Sequence, residues 1–384
     1  MKRISITGGP CAGKTTAMGY VPEKLSDQGW ATVCMPELAT LFIKSGMSPI
    51  AISKMSRQKY LRFEELLLKG QILQERYYAK LLGLHDNKRQ VLFMDRGCMD
   101  VRAYMTDEEF NLILHRNNLN VVDLRDKRYD AVFHLSSVAD GRPELYTREN
   151  NKARIETVEQ ALKSDARTKE CWLGHPHLRV VDNSTLFEGK MKRLLKEVQR
   201  SLGVPVMLEI ERKYLLQEHF SIQNIPVPYQ RISIEQAYLK KEGERPRQRI
   251  RCRGQNDYCV YYLTEKTPST GLPQVVRPSS PQVGFAREEK EKRIRGKTYY
   301  ELMKDIDPQR ELIKKERICF LWKNQYFELD LFLGPKWLKG MMLLEIELTE
   351  ENDKVEIPNW LGKIKEVTDN PRYENSSLSK EPPQ

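Results

Sequence analysis

Apolar segments of strand length alternate with helix-forming segments through the first half of the chain. Alternation of this kind is typical of a doubly wound parallel sheet with helices on its faces. We therefore predict an α/β domain over residues 1–202. Its predicted strands are residues 2–7, 31–36, 90–94, 129–135 and 178–182, with helices at 16–28 and 186–202 among the connections.

One predicted helix of this domain has an apolar face. Four apolar residues recur there at spacings of three, seven and four positions, namely Phe63, Leu66, Leu73 and Tyr77. These spacings are those of one side of an α-helix. We expect this face to pack into the hydrophobic core.

Beyond a linker at residues 203–205 the pattern changes to a period of two. Residues two apart on a strand share one face of a sheet. One such charged strand indicates a solvent-exposed sheet, but several, with both signs of charge, predict a closed antiparallel β-barrel with a charged interior, an α+β domain over residues 206–380. The alternating residues are Glu209, Glu211, Lys213, Arg247, Arg249, Arg251, Arg253, Thr264, Lys266, Glu289, Glu291, Lys315, Arg317, Glu328, Asp330, Glu345 and Glu347.

A charged interior requires ligands, since unpaired buried charge is costly. Carboxylates in such a lumen would hold Mg²⁺ or Mn²⁺, and arginine and lysine side chains would hold phosphate groups. The alternation therefore predicts a site for a polyphosphorylated molecule.

Residues 8–15 carry the pattern G-x-x-x-x-G-K-T between a predicted strand and a predicted helix. In this P-loop pattern, glycines let main-chain N–H groups surround a phosphate and the helix N-terminus adds positive potential. Lys14 would reach the β- and γ-phosphates, and Thr15 would ligate Mg²⁺. The predicted nucleotide-binding residues are Gly8, Gly9, Pro10, Cys11, Ala12, Gly13, Lys14, Thr15 and Thr16.

Two acidic residues follow predicted strands of the same domain. The carboxyl ends of parallel strands line the active crevice, so we predict Asp95 as a Mg²⁺ partner or general base and Arg96 as a phosphate contact. We predict Glu37 as a substrate-binding residue or a catalytic base. The alternative is that its negative charge stabilises the N-terminus of the following helix. A strand-end turn is the alternative for Asp95 and Arg96.

The polar segment at residues 148–169 contains three spaced arginines. Arginines in a mobile lid can close over phosphates, stabilise transferring charge and exclude water. Arg148 and Arg154 are therefore predicted catalytic residues, with Arg167 further along the segment. A solvated charged helix is the alternative for each of them.

The 384 residues carry a formal net charge of +11, with an isoelectric point near 9.1. This excess favours anionic partners such as nucleotides, polyphosphate or an acidic membrane surface. Nucleic acid is disfavoured, because no basic stripe is interleaved with aromatic residues.

Seven cysteines without a C-x-x-C pair indicate a reducing, cytoplasmic compartment. We expect no signal peptide and no transmembrane segment, since no run approaches the roughly 20 apolar residues of a span.

The P-loop, Glu37, the Asp95-Arg96-Gly97 turn and the lid arginines together resemble nucleoside-kinase-like P-loop proteins. They look especially like the ATPase/kinase domain shared with bacterial ribosylnicotinamide kinases, and this resemblance covers residues 1–202. It implies binding of GTP or ATP with Mg²⁺, with P-loop NTPase or kinase activity left open.

Residues 206–378 resemble the CYTH, or triphosphate tunnel, proteins, which include thiamine triphosphatase and a class of adenylyl cyclase. Residues 209–213 match the E-x-E-x-K signature of that family. The chain departs from that family in two respects. It has an insertion at residues 267–285, and the tail lysine of the catalytic tunnel enzymes has only a loose match in Lys380. The resemblance implies metal ligands at Glu209, Glu211, Asp330, Glu345 and Glu347, and phosphate ligands at Lys213, Arg249, Arg251, Lys266, Lys315 and Arg317.

The pairing of the two domains resembles the TRPL translocation defect protein family. This resemblance implies a cytosolic GTP/ATP-binding regulatory protein in membrane-protein trafficking, with peripheral membrane contact. Its tunnel domain would bind polyphosphorylated ligands such as phosphoinositide head groups. The alternative is a bifunctional enzyme, with a small-molecule kinase in front and a metal-dependent tripolyphosphatase or nucleoside triphosphatase behind.

Overall fold

The structure is a computed structural model that describes residues 1–145, 157–204, 210–240, 243, 247–268, 287–349 and 353–383. The side chains of residues 145, 266–268 and 287–290 lie outside this description. The chain divides into two compact units, Met1–Leu202 and Gly203–Gln384.

The first unit is built on a five-stranded parallel sheet, as the alternating pattern predicts. The strand order is β2-β3-β1-β4-β5, and every pairing is parallel. The strands are β1 (Lys2–Gly8), β2 (Ala31–Met35), β3 (Gln90–Asp95), β4 (Ala131–Leu135) and β5 (Leu178–Val181). The helices are α1 (Lys14–Ser26), α2 (Leu38–Lys44), α3 (Pro49–Met55), α4 (Arg57–Leu82), α5 (Asp107–Arg116), α6 (Val121–Arg125), α7 (Val158–Cys171) and α8 (Phe187–Ser201).

The core of this unit lies between the central strands and the helices α1 and α8. Ile6, Phe93 and Phe133 are fully buried and belong to one cluster with Val21 of α1 and Leu194 of α8. Strands covered on both faces are apolar throughout, which is why they read as continuous runs. The carboxyl ends of β1, β2 and β3 meet at one edge of the sheet and carry the P-loop, Glu37 and Asp95.

The prediction that the apolar face of α4 is core is wrong except for Phe63, which is buried. Leu66, Leu73 and Tyr77 are exposed. The buried side of α4 carries acidic residues alongside apolar ones such as Leu68 and Leu82. One of the acids, Glu75, accepts hydrogen bonds from the Tyr129 hydroxyl at 2.6 Å and from Arg128 Nε at 2.8 Å. Because buried carboxylates with partners occupy core positions, hydrophobic periodicity alone indicates the wrong face.

The second unit is a nine-stranded antiparallel sheet in the order β10-β9-β8-β7-β11-β12-β13-β6-β14. Among the described residues no pairing joins the edge strands β10 and β14, so hydrogen bonds do not close the sheet. The strands are β6 (Ile210–Leu216), β7 (Tyr229–Tyr238), β8 (Arg247–Gln255), β9 (Tyr258–Pro268), β10 (Arg287–Ile294), β11 (Ile313–Trp322), β12 (Gln325–Gly334), β13 (Met342–Leu348) and β14 (Ile364–Glu366), with helices α9 (Gly296–Leu302) and α10 (Asn375–Leu378).

Side-chain alternation separates the two faces of this sheet. One face packs into an apolar cluster that includes Ile318, Phe327 and Leu344. At one end of the other face lies a second apolar cluster, to which Leu378 of the C-terminal helix α10 contributes. The remainder is the charged face, whose polar and charged residues include Glu211, Lys213, Arg249, Arg251, Arg253, Thr264, Glu291, Lys315, Arg317, Glu328, Asp330, Glu345 and Glu347.

Candidate functional site: two phosphate-binding regions

The P-loop connects the end of β1 to the start of α1, and two of its glycines have conformations that side chains rarely adopt. Gly8 has φ 148°, and a Cβ there would lie 2.3 Å from the Leu135 carbonyl oxygen. Gly13 has φ 90° and precedes the first turn of α1, where a Cβ would meet the Phe187 ring at 2.6 Å. The pattern of glycines is therefore required by main-chain geometry.

Lys14 lies folded over this loop. Its Nζ donates hydrogen bonds to the carbonyl oxygens of Gly8 at 2.9 Å and Gly9 at 3.0 Å. Burial, with a contribution from the Arg96 cation, lowers the pKa of Lys14. Thr15 and Thr16 are exposed at the N-terminus of α1, where the Thr15 hydroxyl is open to a cation. The loop thus presents an ammonium group and a helix N-terminus in one place.

Two residues far along the chain support the P-loop from outside. Lys190 Nζ donates to the Ala12 carbonyl at 3.2 Å, the Ser136 carbonyl at 2.6 Å and Asn183 Oδ1 at 2.8 Å. Burial lowers the pKa of Lys190 to about 8. Sequence reasoning missed Lys190, because a lysine on an amphipathic helix carries no local sign that it is buried.

Asp165 of α7 is the second support. Its Oδ1 accepts hydrogen bonds from the Gly9 main-chain N–H at 2.8 Å and from that of Ser137 at 3.1 Å, and it lies 3.0 Å from His134 Nε2. Burial alone would raise the pKa of Asp165, but His134 and Lys169 hold it well below its usual range. The carboxylate therefore fixes the main chain at Gly9, and its position 156 residues away hides that role from the sequence.

Asp95, Arg96 and Glu37 lie beside the loop, as their strand-end positions predict. Arg96 Nε donates to Glu37 Oε1 at 2.6 Å, and Thr40 Oγ1 donates to Glu37 Oε2 at 2.6 Å. Burial opposes ionisation of Glu37, but Arg96 and Lys14 lower its pKa below the ordinary value. Glu37 is thus an ionised partner of Arg96.

The Asp95 carboxylate is less fully hydrogen-bonded than that of Glu37. Among the described residues its buried Oδ1 atom has no hydrogen-bond partner. Burial, opposed by the Lys14 cation, raises the pKa of Asp95 to about 6. An unsatisfied carboxylate oxygen close to the P-loop lysine fits the chemistry of a Mg²⁺ ligand, either directly or through water.

The predicted lid is only partly described. Arg148 and Arg154 lie outside the described residues. Arg167 is on α7, where its Nη2 donates to the Met105 carbonyl at 3.1 Å and its Nη1 lies 3.5 Å from Glu170. These contacts are those of a surface arginine on a packed helix.

In the second unit, three cations and four carboxylates form a continuous network on β6, β11, β12 and β13, which we call the acidic half of the charged face. Arg317 is its centre and contacts Asp330 at 2.7 Å, Glu345 at 2.5 Å and Glu328. Lys213 Nζ lies 3.0 Å from Glu211 and 3.1 Å from Glu345. The network is completed by an ion pair between Lys315 and Asp330.

These charges set one another's protonation. Burial would raise the pKa of Glu345, but Lys213, Lys315 and Arg317 hold it well below its usual range. Burial opposes the charge of Lys213, yet Glu211 and Glu345 raise its pKa above the ordinary value. Burial acts the other way on two members of the network, because it raises the pKa of Glu328 and lowers the pKa of Lys315. The acidic half therefore combines groups whose charged forms are stabilised by partners with groups whose charged forms are opposed by burial.

Strands β8 to β10 form the arginine half, where cations exceed acids among the side chains that the structure describes. Arg251 Nη2 donates to both oxygens of Glu291, at 3.0 and 2.8 Å. Arg249 Nη2 donates to Thr264 Oγ1 at 3.3 Å and lies 3.9 Å from the same carboxylate. The buried Arg251 Nε has no hydrogen-bond partner among the described residues. Guanidinium groups sharing one carboxylate leave a positive excess that suits phosphate oxygens.

The structure thus brings together most of the predicted tunnel residues, but not as a preformed metal cluster. In the part of the chain that is described, no three His, Cys, Asp or Glu side chains are grouped to hold a metal ion. Glu211 and the exposed Glu347 stand directly opposite each other in the β6–β13 register. Like charges in that position repel, and a divalent cation between the two carboxylates would relieve the repulsion. Glu328 and Glu345 also stand opposite each other, across β12 and β13, but Arg317 contacts both of them.

Three predicted residues take no part in the contacts described above. Glu209 lies outside the described residues, and so does the Lys266 side chain, although the Lys266 main chain is part of β9. Lys380, the loose candidate for a tail lysine, is exposed. The metal and phosphate roles assigned by resemblance stay predictions.

Comparisons with known proteins match each half separately. Residues 3–190 match a family model described as an AAA domain. Over 121 residues the chain is 35% identical to an inorganic triphosphatase of Acetivibrio thermocellus, a match that spans 32% of this chain and 66% of that relative.

Two crystal structures are also similar in part. The inorganic triphosphatase NE1496 is 26% identical over 46% of this chain and 97% of its own, with a TM-score of 0.32. A structure described as the hypothetical protein NE1496 is 25% identical over 46% of this chain and 100% of its own, with a TM-score of 0.31. Scores this low carry no argument about overall shape.

The fold and the two regions define the class of the protein. It joins a P-loop domain, with an α/β parallel sheet, to an antiparallel α+β domain of the tunnel type similar to inorganic triphosphatases. The first unit supports nucleotide binding, and the second supports polyphosphate binding. The TRPL translocation defect family stays a prediction. No helix in the described ranges is long and apolar enough to cross a membrane.

Proposed function

We propose that the second unit binds and hydrolyses inorganic tripolyphosphate with a divalent cation, and that the first binds GTP or ATP with Mg²⁺. The observation that carries this proposal is the division of the charged face into an acidic half and an arginine half. Polyphosphate needs cations for its oxygens and a metal-holding carboxylate set beside them. The 35% identity to an inorganic triphosphatase supports the same substrate.

In the second unit, Arg249 and Arg251 would bind phosphate oxygens by exchanging part of their contact with Glu291. Glu211 and Glu347 would hold the cation, and Lys213 would keep Glu211 and Glu345 in place. A bound divalent cation would supply charge neutralisation and polarisation of the phosphoryl group. The other ion pairs of the acidic half would keep the face ordered.

In the first unit, Lys14 would leave the Gly8 and Gly9 carbonyls for the β- and γ-phosphates of the nucleotide. Thr15 and Asp95 would hold Mg²⁺. Arg96, oriented by Glu37, would contact a phosphate or a second substrate. The exposed side of the loop leaves room for such a substrate, which is the basis of a kinase activity.

The decisive experiment measures phosphate release from tripolyphosphate by the full chain with Mg²⁺ and with Mn²⁺. We expect metal-dependent release that Glu211→Gln abolishes. Two controls should retain it, namely Lys14→Ala, which affects only the nucleotide site, and Glu316→Gln, which removes an acid on the opposite face that pairs with Arg231. A folded protein that releases no phosphate with either cation would exclude hydrolysis.

The second candidate is a regulatory protein that binds a polyphosphorylated head group, such as that of a phosphoinositide, without turnover. The observation in its favour is that Asp330 and Glu345 are held by cations and that Lys380 is exposed. Calorimetry with tripolyphosphate and with soluble inositol phosphates separates the two candidates. Tight binding of both ligands without phosphate release would select the regulatory role.

A further inference from the structure

The outward side of α4 is apolar and uncovered. We call Leu66, Leu73, Tyr77 and Leu81 the α4 stripe, and their exposed fractions are 48%, 51%, 65% and 57%. With 3.6 residues per turn, these four positions fall within an arc of about 80°. Scattered single apolar residues are normal on a surface, but a continuous row along one helix indicates an interaction site.

The charges along the stripe have one sign. All three acidic residues of α4, Glu64, Glu65 and Glu75, are buried. The cations are exposed and fall along one edge of the stripe, at Arg62, Lys69, Arg76 and Lys80. Two of them, Arg62 and Lys69, also reach the single buried carboxylate of Glu65. The helix therefore presents an apolar row with a basic border.

The stripe also has a depression. A cavity of about 460 Å³ opens beside the C-terminal part of the helix, and its lining residues are Arg3, Leu73, Arg76, Tyr77, Ala79 and Lys80. Its lining combines the apolar side chains of Leu73 and Ala79 with three cations. A concave site of this size accepts a protruding side chain, whereas a flat lipid surface would leave it empty.

We propose that the α4 stripe docks an amphipathic helix of a partner protein, with an apolar row against the stripe and acidic residues against Arg76 and Lys80. The spacings of seven and four residues are those of helix-on-helix packing, in which a side chain of one helix enters a hole on the other. A second copy of this chain fits less well, because it would bring the same cations to the seam.

A direct test uses a designed helical peptide of about three heptads with leucine at a and d and glutamate at e and g. Fluorescence anisotropy with the full chain should show binding that weakens as salt rises. Leu73→Asp should weaken it by about tenfold or more, because the substitution places a carboxylate in the apolar row that the peptide covers. A matched control is Leu112→Asp on α5, whose leucine is also 48% exposed.

A charge exchange makes the test specific. Arg76→Glu combined with Lys80→Glu should reject the glutamate-flanked peptide and accept its lysine-flanked counterpart. Nucleotide binding should stay unchanged in every variant, which verifies folding of the first unit. Failure of the charge exchange would overturn the proposal. Two other outcomes would also overturn it. In each, the peptide does not bind, and Leu73→Asp abolishes either the binding of anionic vesicles or the self-association of the chain.

Discussion

The P-loop offers main-chain N–H groups to an anion, whereas the charged face of the second unit offers side chains that already neutralise one another. In the loop, the geometry is set by glycines and by Asp165 and Lys190 beneath them. In the charged face, the geometry is set by Arg317 and Lys213 among four carboxylates. Ligand binding should therefore leave the main chain of the loop nearly unchanged, with Lys14 alone exchanging partners, but should exchange ion pairs in the second unit.

The largest expected effect comes from removing the central cation of the acidic half. Arg317→Met leaves Asp330, Glu328 and Glu345 close together with too few cations, and the loss of one partner of a buried ion pair costs about 3–5 kcal/mol. Urea unfolding of the full chain should show this loss in the second unit. Lys14→Met, by contrast, should abolish nucleotide binding without lowering the unfolding free energy.

A control on the same strand isolates burial as the cause. Lys314 pairs with Glu235 on the exposed face, and exposed pairs contribute about 0–1 kcal/mol. Lys314→Met should therefore change the unfolding free energy little. Equal effects of the two substitutions would show that the buried network does not hold the sheet together.

The next effect concerns ligand binding by the arginine half. Arg251→Ala should weaken tripolyphosphate binding by roughly tenfold to a hundredfold, because a hydrogen bond to a charged group contributes about 1.5–3 kcal/mol. Isothermal calorimetry measures the change. Arg231→Ala, which removes an exposed arginine paired with Glu316, is the matched control and should bind normally. Normal binding by Arg251→Ala would place the ligand elsewhere.

The sequence predicts those parts of both regions that depend on contiguous patterns. The P-loop is a run of eight positions, and the period of two places Lys213, Arg317 and Glu345 on one face. It does not predict Asp165 or Lys190, because their contacts with Gly9 and Ala12 join residues 156 and 178 positions apart. On α4 it indicates the wrong face, because partners such as Arg128 make buried carboxylates stable.

A smaller effect tests the supports beneath the P-loop. Lys190→Met removes hydrogen bonds to Ala12 and Ser136, so the loop should lose part of its preformed shape. Nucleotide affinity should fall by about tenfold, a change that corresponds to the loss of one strong hydrogen bond. Lys192→Met on the same helix removes only an exposed pair with Glu188 and should leave the affinity unchanged. Unchanged affinity in Lys190→Met would show that the glycines alone shape the loop.

The last prediction concerns the pH dependence of the same lysine. Burial lowers the pKa of Lys190 from 10.5 to about 8 in the folded protein. Between these two values the unfolded chain binds more protons than the folded one, so the unfolding free energy contributed by this group rises with pH. The difference in unfolding free energy between the wild type and Lys190→Met should therefore shift in favour of the wild type across that window. A difference that stays constant with pH would mean that Lys190 keeps its charge, with the Ala12, Ser136 and Asn183 oxygens compensating fully for its burial.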